Sequence, residues 1–193
     1  MGDPRRQRKK YETPRFPWRA DTLQAELRLL GQYGLRNKHE LWRHRTMLSK
    51  YRGIARSLLG MSTEQREVLE KQLLSRLSRL GILPETAVLD NVLDLSLEDI
   101  LERRLQTQVL RKNMARSVYQ ARQLITHGHV AIGNTRVFSP SYLVLKDEED
   151  KIAFSLTSAV ANPEHPLRQL VTVEAKPSTG QRPSREGPEA ERS

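Results

Sequence analysis

Residues 98–142 read EDILERRLQTQVLRKNMARSVYQARQLITHGHVAIGNTRVFSPSY, and this stretch decides the fold. Two short helical patterns run into an alternating strand, a Gly-Asn turn and a second strand. Ser96 predicts an N-cap with Asp99 at the third helical position, a capping box. The helix it opens runs to about Lys112, buries Ile100, Leu101, Leu105 and Val109, and is expected to expose Arg103 and Arg104. Ser117 caps the next helix with Gln120 three residues on, and Val118, Ala121, Leu124 and Ile125 face inward. Gly128 is placed just past its end. The period then switches to two: Val130 and Ile132, the turn Gly133-Asn134, then Arg136 and Val137. Gly-Asn is expected to supply the two positive-φ residues of a tight primed turn.

Downstream, Pro140 ends that pairing, and Tyr142, Val144 and Leu145 predict a further strand. Asp147–Asp150 reads as an acidic turn, and Ile152, Phe154 and Leu156 return as another strand. From Asn162 the pattern fades. Residues 174–193 are rich in Pro, Ser, Gly, Glu and Arg without an apolar period, which predicts disorder.

Upstream, three helices precede the central stretch. Asp21 is expected to cap a short helix to Gly31 that carries Leu23, Leu27 and Leu30 at helical spacing, with Gly31 and Gly34 as breakers. Asn37 opens a second helix, with Glu40 as its capping-box partner and an apolar stripe of Leu41, Leu48, Ala55 and Leu59, Tyr51 alongside, up to Gly60. Arg45, Arg52 and Arg56 fall on one flank of that stripe, Arg43 and Lys50 on the other. Few acids interleave between Lys50 and Ser62, so the helix cannot neutralise itself. Ser62 to Gly81 is a third helix, with Gln65 as capping partner and a stripe of Val68, Leu69, Leu73, Leu77 and Leu80. Its surface mixes signs and reads as scaffold. Residues 85–95 form a short helical connector.

The first twenty residues, MGDPRRQRKKYETPRFPWRA, are a basic, Pro-punctuated arm. Arg5, Arg6, Arg8, Lys9 and Lys10 crowd together with almost no apolar partner, so the arm cannot fold alone. It is either a solubilising tail or an extension that orders on RNA. Phe16 and Trp18 amid prolines and arginines favour the second. The organisation is therefore an arm at 1–20, a helical domain at 21–96, a module of two helices and a hairpin at 97–165, and a tail at 166–193. The fold class is α+β, two helices packing on a short, mostly antiparallel sheet.

The 193 residues carry a net charge of +10 and a pI near 10.2. Charge of that sign favours a polyanion, nucleic acid before a membrane surface. There are no cysteines, so a disulfide framework, a thiolate nucleophile and a Cys-type zinc site are excluded. No run of about 18 apolar residues occurs, and the charged N-terminus does not read as a secretory signal. An intracellular soluble protein is the expectation, with no membrane partner and no small-molecule substrate.

The runs ERRLQTQV, ARSVYQARQLITHGHV and RVFSPSY resemble the small RNA-binding module named after small-subunit ribosomal protein four. Arg104-Leu105, Ala115-Arg116-Ser117, Ala121, Leu124-Ile125, Gly128, Val130 and Ile132 fill the places of its pattern. Pseudouridine synthases, tyrosyl-tRNA synthetases and a heat-shock ribosome-recycling protein also carry this module. The segments LQAELRLLGQYGLRNKHELWRHRTMLSKYRGIARSLL and LDNVLDLSLEDILERRLQTQV are similar to the archaeal and eukaryotic form of the ribosomal family itself. That resemblance covers roughly residues 8–165. It implies a primary binder of small-subunit ribosomal RNA at a multi-helix junction of the 5′ domain. It further implies a place beside another small-subunit protein, protein five, where messenger RNA enters, and an influence on decoding fidelity. The usual turn order is Asn-Gly rather than Gly133-Asn134. The cysteine knuckle of some bacterial members is missing, so zinc is not expected. The tail after Val173 matches no pattern of the family.

The candidate RNA contacts are thus Arg5, Arg6, Arg8, Lys9 and Lys10 on the arm and Arg43, Arg45, Lys50, Arg52 and Arg56 on the second long helix. In the module they are Arg103, Arg104, Arg111, Lys112, Arg116, Ser117, Arg122, His127, Gly128, His129, Asn134 and Arg136. Arginines at fixed spacing on a rigid surface read RNA shape through phosphates and 2′-hydroxyls. Arg116 precedes a helix N-terminus, whose N–H groups favour an anion. His127-Gly128-His129 lacks a third metal ligand nearby and reads as polar surface. Asp94, Glu98, Asp99 and Glu102 suggest an acid/base cluster, but capping and the helix dipole account for them. No nucleophile–base pair, P-loop or dinucleotide fingerprint occurs. No cofactor, metal or catalytic residue is expected. An RNA-modifying enzyme is the competing reading, but it would need a further catalytic domain that 193 residues are not expected to house. A free stress or recycling factor is another, against which the long helical half argues.

Overall fold

The computed structural model describes residues 9–168, and the expectations for Arg5, Arg6, Arg8 and residues 169–193 lie outside these. Three long helices come first: α1 (Ala20–Tyr33), α2 (Lys38–Leu59) and α3 (Thr63–Arg79). Asp21 does not cap α1. Arg19 is the N-cap residue, and Asp21 inside the first turn pairs with it at 3.5 Å. The helix also passes through Gly31 and stops only at the left-handed Gly34. Asn37 caps α2 as expected, its Oδ1 accepting from the Glu40 N–H at 3.1 Å. The Glu40 carboxylate does not close the box, because two arginines claim it. Ser62 stands at the N-cap of α3 without a capping hydrogen bond from its side chain.

The helical core joins Leu48, Tyr51, Ala55 and Leu58 of α2 to Leu73 and Leu77 of α3. Leu89 and Val92 of α4 (Leu89–Asp94) close it. Three expected stripe positions, Leu59, Val68 and Leu69, are not in the core. Leu58 is buried and Leu59 is exposed, because Tyr51, Ala55 and Leu58 follow the i, i+4, i+7 face. Val68 and Leu69 are exposed too, since the core built by α2, α4, Ile82 and Leu83 meets α3 at Leu73 and Leu77. Each fully buried leucine here contributes about 1.5–3 kcal/mol over an exposed one.

The helix expected from Ser96 to Lys112 is two helices, α5 (Leu97–Glu102) and α6 (Leu105–Arg111), broken at Arg103-Arg104. The capping box of Ser96 and Asp99 is present. No helix breaker lies at the step. A distant segment makes the break instead. Tyr142 and Pro140 carbonyls accept from the N–H groups of Leu105 and Gln106 at 2.8 and 3.4 Å, and Arg103 O accepts from Val144 N–H at 2.9 Å. The carbonyls of Leu101 and Glu102, freed at the end of α5, accept from Thr107 Oγ1 and Gln108 Nε2, each at 2.9 Å. This explains why the polar residues Thr107 and Gln108 are buried in α6, while the buried Gln106 side chain donates to Gly34 O and Val118 O instead.

Beyond the break, α6 and α7 (Val118–Thr126) pack on a small sheet. Ser117 caps α7 by accepting from Gln120 N–H at 3.2 Å, and the Gln120 Oε1 accepts from Arg116 N–H at 2.7 Å. The sheet has the order β2 (Thr135–Arg136), β1 (Val130–Ile132), β3 (Ile152–Phe154), all antiparallel. Of the two turn residues only Gly133 has a positive φ, 58°, so the turn meets the demand of a II′ type rather than needing both residues left-handed. Tyr142, Val144 and Leu145 form no strand of this sheet. Leu143 bridges Arg104 instead, which spends the segment on the helix break. The acidic turn is a single helical turn, α8 (Lys146–Glu149). Leu156 lies outside β3 and is exposed. Past a 3₁₀ turn at Ala159–Ala161, Arg168 donates to Ala161 O at 2.8 Å. The architecture is α+β, with one core under the long helices and another between α6, α7 and the sheet.

Candidate nucleic-acid interface

The cations divide into those that hold the fold and those that face out. Arg104 belongs to the first group, against expectation. It has no solvent exposure, and its Nη2 donates to Glu40 Oε2 at 2.8 Å while its Nη1 meets His44 Nε2 at 2.7 Å. Arg122 takes the other carboxylate oxygen, Nη2 to Glu40 Oε1 at 2.7 Å. Gln106 completes the joint, donating to Gly34 O at 3.0 Å and Val118 O at 2.9 Å. Residues of α6 and α7 are thereby fastened to α2 and to the end of α1.

The electrostatics follow from burial. Desolvation alone would raise the Glu40 carboxyl, but hydrogen bonds and charge from Arg122 and Arg104 hold it below its ordinary value. Burial, then the charge of Arg104, pushes His44 down to about 4. The imidazole is therefore neutral, accepts at Nε2 and carries its proton on Nδ1. His44 Nδ1 and Arg104 Nε are buried without hydrogen-bond partners among the described residues.

Arg103 is likewise buried, not exposed as expected. Its Nη1 donates to Glu149 Oε2 at 2.7 Å and its Nη2 to Val144 O at 3.2 Å. Both arginines turn inward because the helix break aims them at partners supplied by α2 and α8. Arg52 is half-buried and donates to Leu95 O, and Lys112 donates to Glu149 O. Arg111 is exposed yet engaged twice by Glu102, at 2.7 and 3.1 Å. His129 Nδ1 lies 2.7 Å from Ser158 Oγ. Gly128 is buried with a φ of 74°.

Among the remaining expected contacts, Lys9, Lys10, Arg43, Arg45, Lys50 and Arg56 are exposed. So are Arg116, Ser117, His127, Asn134 and Arg136 of the module. Arg45 lies at 4.0 Å from Glu26, and Arg56 Nε donates to Arg52 O at 3.4 Å. Lys9, Lys10, Arg43 and Lys50 line one open cleft of about 910 Å3. Arg76 lines it too, although α3 as a whole mixes signs and reads as scaffold. The signal was local: Arg76 stands between serines in LLSRLSRL, with no acid from Lys71 to Arg79. Glu40, expected as a capping partner, is instead the centre of the buried joint. Among the described residues no cluster of three potential metal ligands occurs, and no helix is long and apolar enough to cross a membrane.

Two helices on a short antiparallel sheet, with basic residues around them, define the class. Residues 103–150 match the model of the S4 domain, so this is an S4-domain protein. The likeness extends through both halves of the chain. Over 161 residues, 83% of this chain and 92% of the relative, it is 54% identical to small ribosomal subunit protein uS4 of Hyperthermus butylicus. It is 52% identical to the uS4 of Metallosphaera sedula over 163 residues, 84% of this chain and 91% of that one. The uS4 of Ignicoccus hospitalis is 53% identical over 158 residues, 82% and 95% of the two chains. The chain belongs to the uS4 family of small ribosomal subunit proteins, the family its residues resemble. It is a ribosomal structural protein rather than an enzyme.

Proposed function

We propose that the chain is a primary binder of small-subunit ribosomal RNA, holding a helix junction of the 5′ domain early in assembly. It organises RNA and turns nothing over. The observation that carries this is identity above one half to uS4 relatives across more than four-fifths of the chain. That span takes in the S4 domain and the long α2 and α3 helices alike, so the likeness is not confined to the module. The physical support is a stiff scaffold with outward cations. The joint of Arg104, Glu40 and Arg122 fixes α2 against α6 and α7, so the exposed basic residues of the two parts keep a set spacing. A fixed spacing of positive charge matches a folded RNA junction, whose phosphates are also fixed. The family resemblance supports a neighbouring position to protein five where messenger RNA enters, with an effect on decoding fidelity through that contact.

A filter-binding titration tests the proposal. The full chain is titrated against small-subunit 5′-domain RNA and against an unrelated structured RNA of equal length, at two salt concentrations. Tight binding that prefers the 5′-domain RNA and weakens steeply with salt is expected. Equal affinity for both RNAs would reduce the protein to a generic basic binder and sink the proposal.

A further inference from the structure

The N-terminal arm is expected from its composition to stay loose until RNA arrives. Its described part is already seated. The Tyr11 ring lies 5.0 Å from His39 and 6.0 Å from Trp42, and those two rings meet edge-on at 5.4 Å. Glu12 N–H donates to Thr46 Oγ1 at 2.9 Å, and the Thr46 hydroxyl donates in turn to Trp42 O at 2.8 Å. Trp42 is held by its own Nε1–H to Glu26 Oε1 at 3.0 Å. The arm is thus pinned to α2 just after Lys9 and Lys10, and forms one wall of the cleft whose other walls are α2 and α3.

That cleft has two kinds of lining. Lys9, Lys10, Arg43, Lys50 and Arg76 supply positive charge, and among the described residues no carboxylate lines it. Met47, Ile54 and Tyr51 supply an apolar floor, on which Ile54 is well exposed and Arg76 sits 6.0 Å from the Tyr51 ring. Five cations in a cleft that no carboxylate among the described residues lines call for a polyanion. An apolar floor beneath them has no use for a duplex, whose base faces are stacked away and whose shallow groove offers hydroxyls and polar base edges. An unpaired strand uses both: phosphates on the rim and a base on the floor. The volume of about 910 Å3 is within the range of clefts that take up a group of that size.

We propose that the cleft between the arm, α2 and α3 holds an unpaired stretch of RNA, its phosphates against Lys9, Lys10, Arg43, Lys50 and Arg76 and a base against Met47 and Ile54. The proposal rests on the RNA-binding function above and names the form of RNA this part takes. The pinned arm makes the site preformed, which lowers the ordering cost of binding.

The test uses the full chain and a short fluorescent oligouridylate, followed by anisotropy. Binding is expected, with displacement by unlabelled oligouridylate but not by a perfectly paired RNA hairpin stem or by polyglutamate. Lys50→Glu with Arg76→Glu should cost about tenfold or more in affinity, from two reversed phosphate contacts. Lys9→Glu with Lys10→Glu should do the same, and these arm residues lie outside the helical core, so loss of folding is not an explanation. Tyr11→Ala, which unpins the arm, should weaken binding by a few-fold. Equal binding by both charge-reversal pairs, or equal displacement by the paired stem or polyglutamate, would overturn the proposal. The 5′-domain titration is run in parallel on the unaltered chain. If the chain prefers 5′-domain RNA but ignores oligouridylate, the cleft proposal alone fails. If it binds oligouridylate but shows no preference for 5′-domain RNA, the wider function fails and the cleft stands.

Discussion

Arg104, fully buried at the start of α6, places its Nη2 2.8 Å from Oε2 of Glu40, 64 residues earlier in the chain. The same carboxylate takes Arg122 on its other oxygen. One acid therefore compensates two guanidinium groups at the contact between α2 and the S4 domain.

Glu40→Ala leaves the buried Arg104 without its counter-charge. Breaking a buried pair from one side costs about 3–5 kcal/mol, because the remaining ion cannot recover its hydration. The expected outcome is a large drop in the urea midpoint of the variant. A midpoint equal to that of the unaltered chain would mean the joint contributes nothing to stability.

His44 gives the joint a sign on the pH axis. Its folded value is near 4 and its ordinary value 6.5, so between them the unfolded chain binds a proton that the folded chain refuses. Stability is therefore highest above about pH 6.5 and declines as pH falls towards 4, by on the order of 3 kcal/mol. Glu40 acts in the same direction lower down. Its folded value is depressed, so its contribution is present above 4.5 and lost as pH falls through the folded value. Urea midpoints measured from about pH 7 to pH 4.5 should fall, and His44→Gln should flatten the fall. An unchanged slope in that variant would locate the acid sensitivity elsewhere.

Much of the fold is legible in local pattern. The caps at Asn37, Ser96 and Ser117 and the hairpin through Gly133 and Asn134 depend on neighbours within a few residues. The helix break at Arg103-Arg104 does not. ERRLQTQV is good helix-forming sequence, and the carbonyls that interrupt it belong to Pro140 and Tyr142. Propensity yields there to tertiary hydrogen bonding. The same distance hides the fate of the arginines. A helical wheel places Arg103, Arg104 and Arg122 on a face but cannot show that Glu149 and Glu40 wait opposite. Buried and outward cations look alike in sequence, because the difference lies in partners far along the chain. Arg76 was hidden in the opposite way, by acids on other faces of its own helix.

Gly128 holds a φ of +74° after α7, and a Cβ built on it would lie 2.5 Å from Phe138 Cε1. Phe138 is an exposed side chain, so its ring can swing aside, whereas the backbone strain remains. Gly128→Ala should thus cost about 1–2 kcal/mol, the cost of a left-handed residue with a Cβ. Adding Phe138→Ala should recover only a few tenths of a kcal/mol of coupling. Full recovery in the double variant would show that the ring, not the backbone, demands glycine.

Arg116 and Arg104 lie twelve residues apart in one domain and should fail in different assays. Arg116 is exposed beside the Ser117 cap, where a phosphate would meet both its charge and the N-terminal N–H groups of α7. Arg116→Glu should weaken binding to 5′-domain RNA by about 1–3 kcal/mol, the worth of a charge-assisted contact. It should also make the salt dependence shallower, since fewer counterions are released. Its urea midpoint should stay near that of the unaltered chain. Arg104→Gln should do the reverse, lowering the midpoint while its folded fraction keeps the original salt slope. If Arg116→Glu leaves both affinity and salt slope unchanged, this end of α7 does not touch RNA, and Arg136 and His127 become the places to look within the domain.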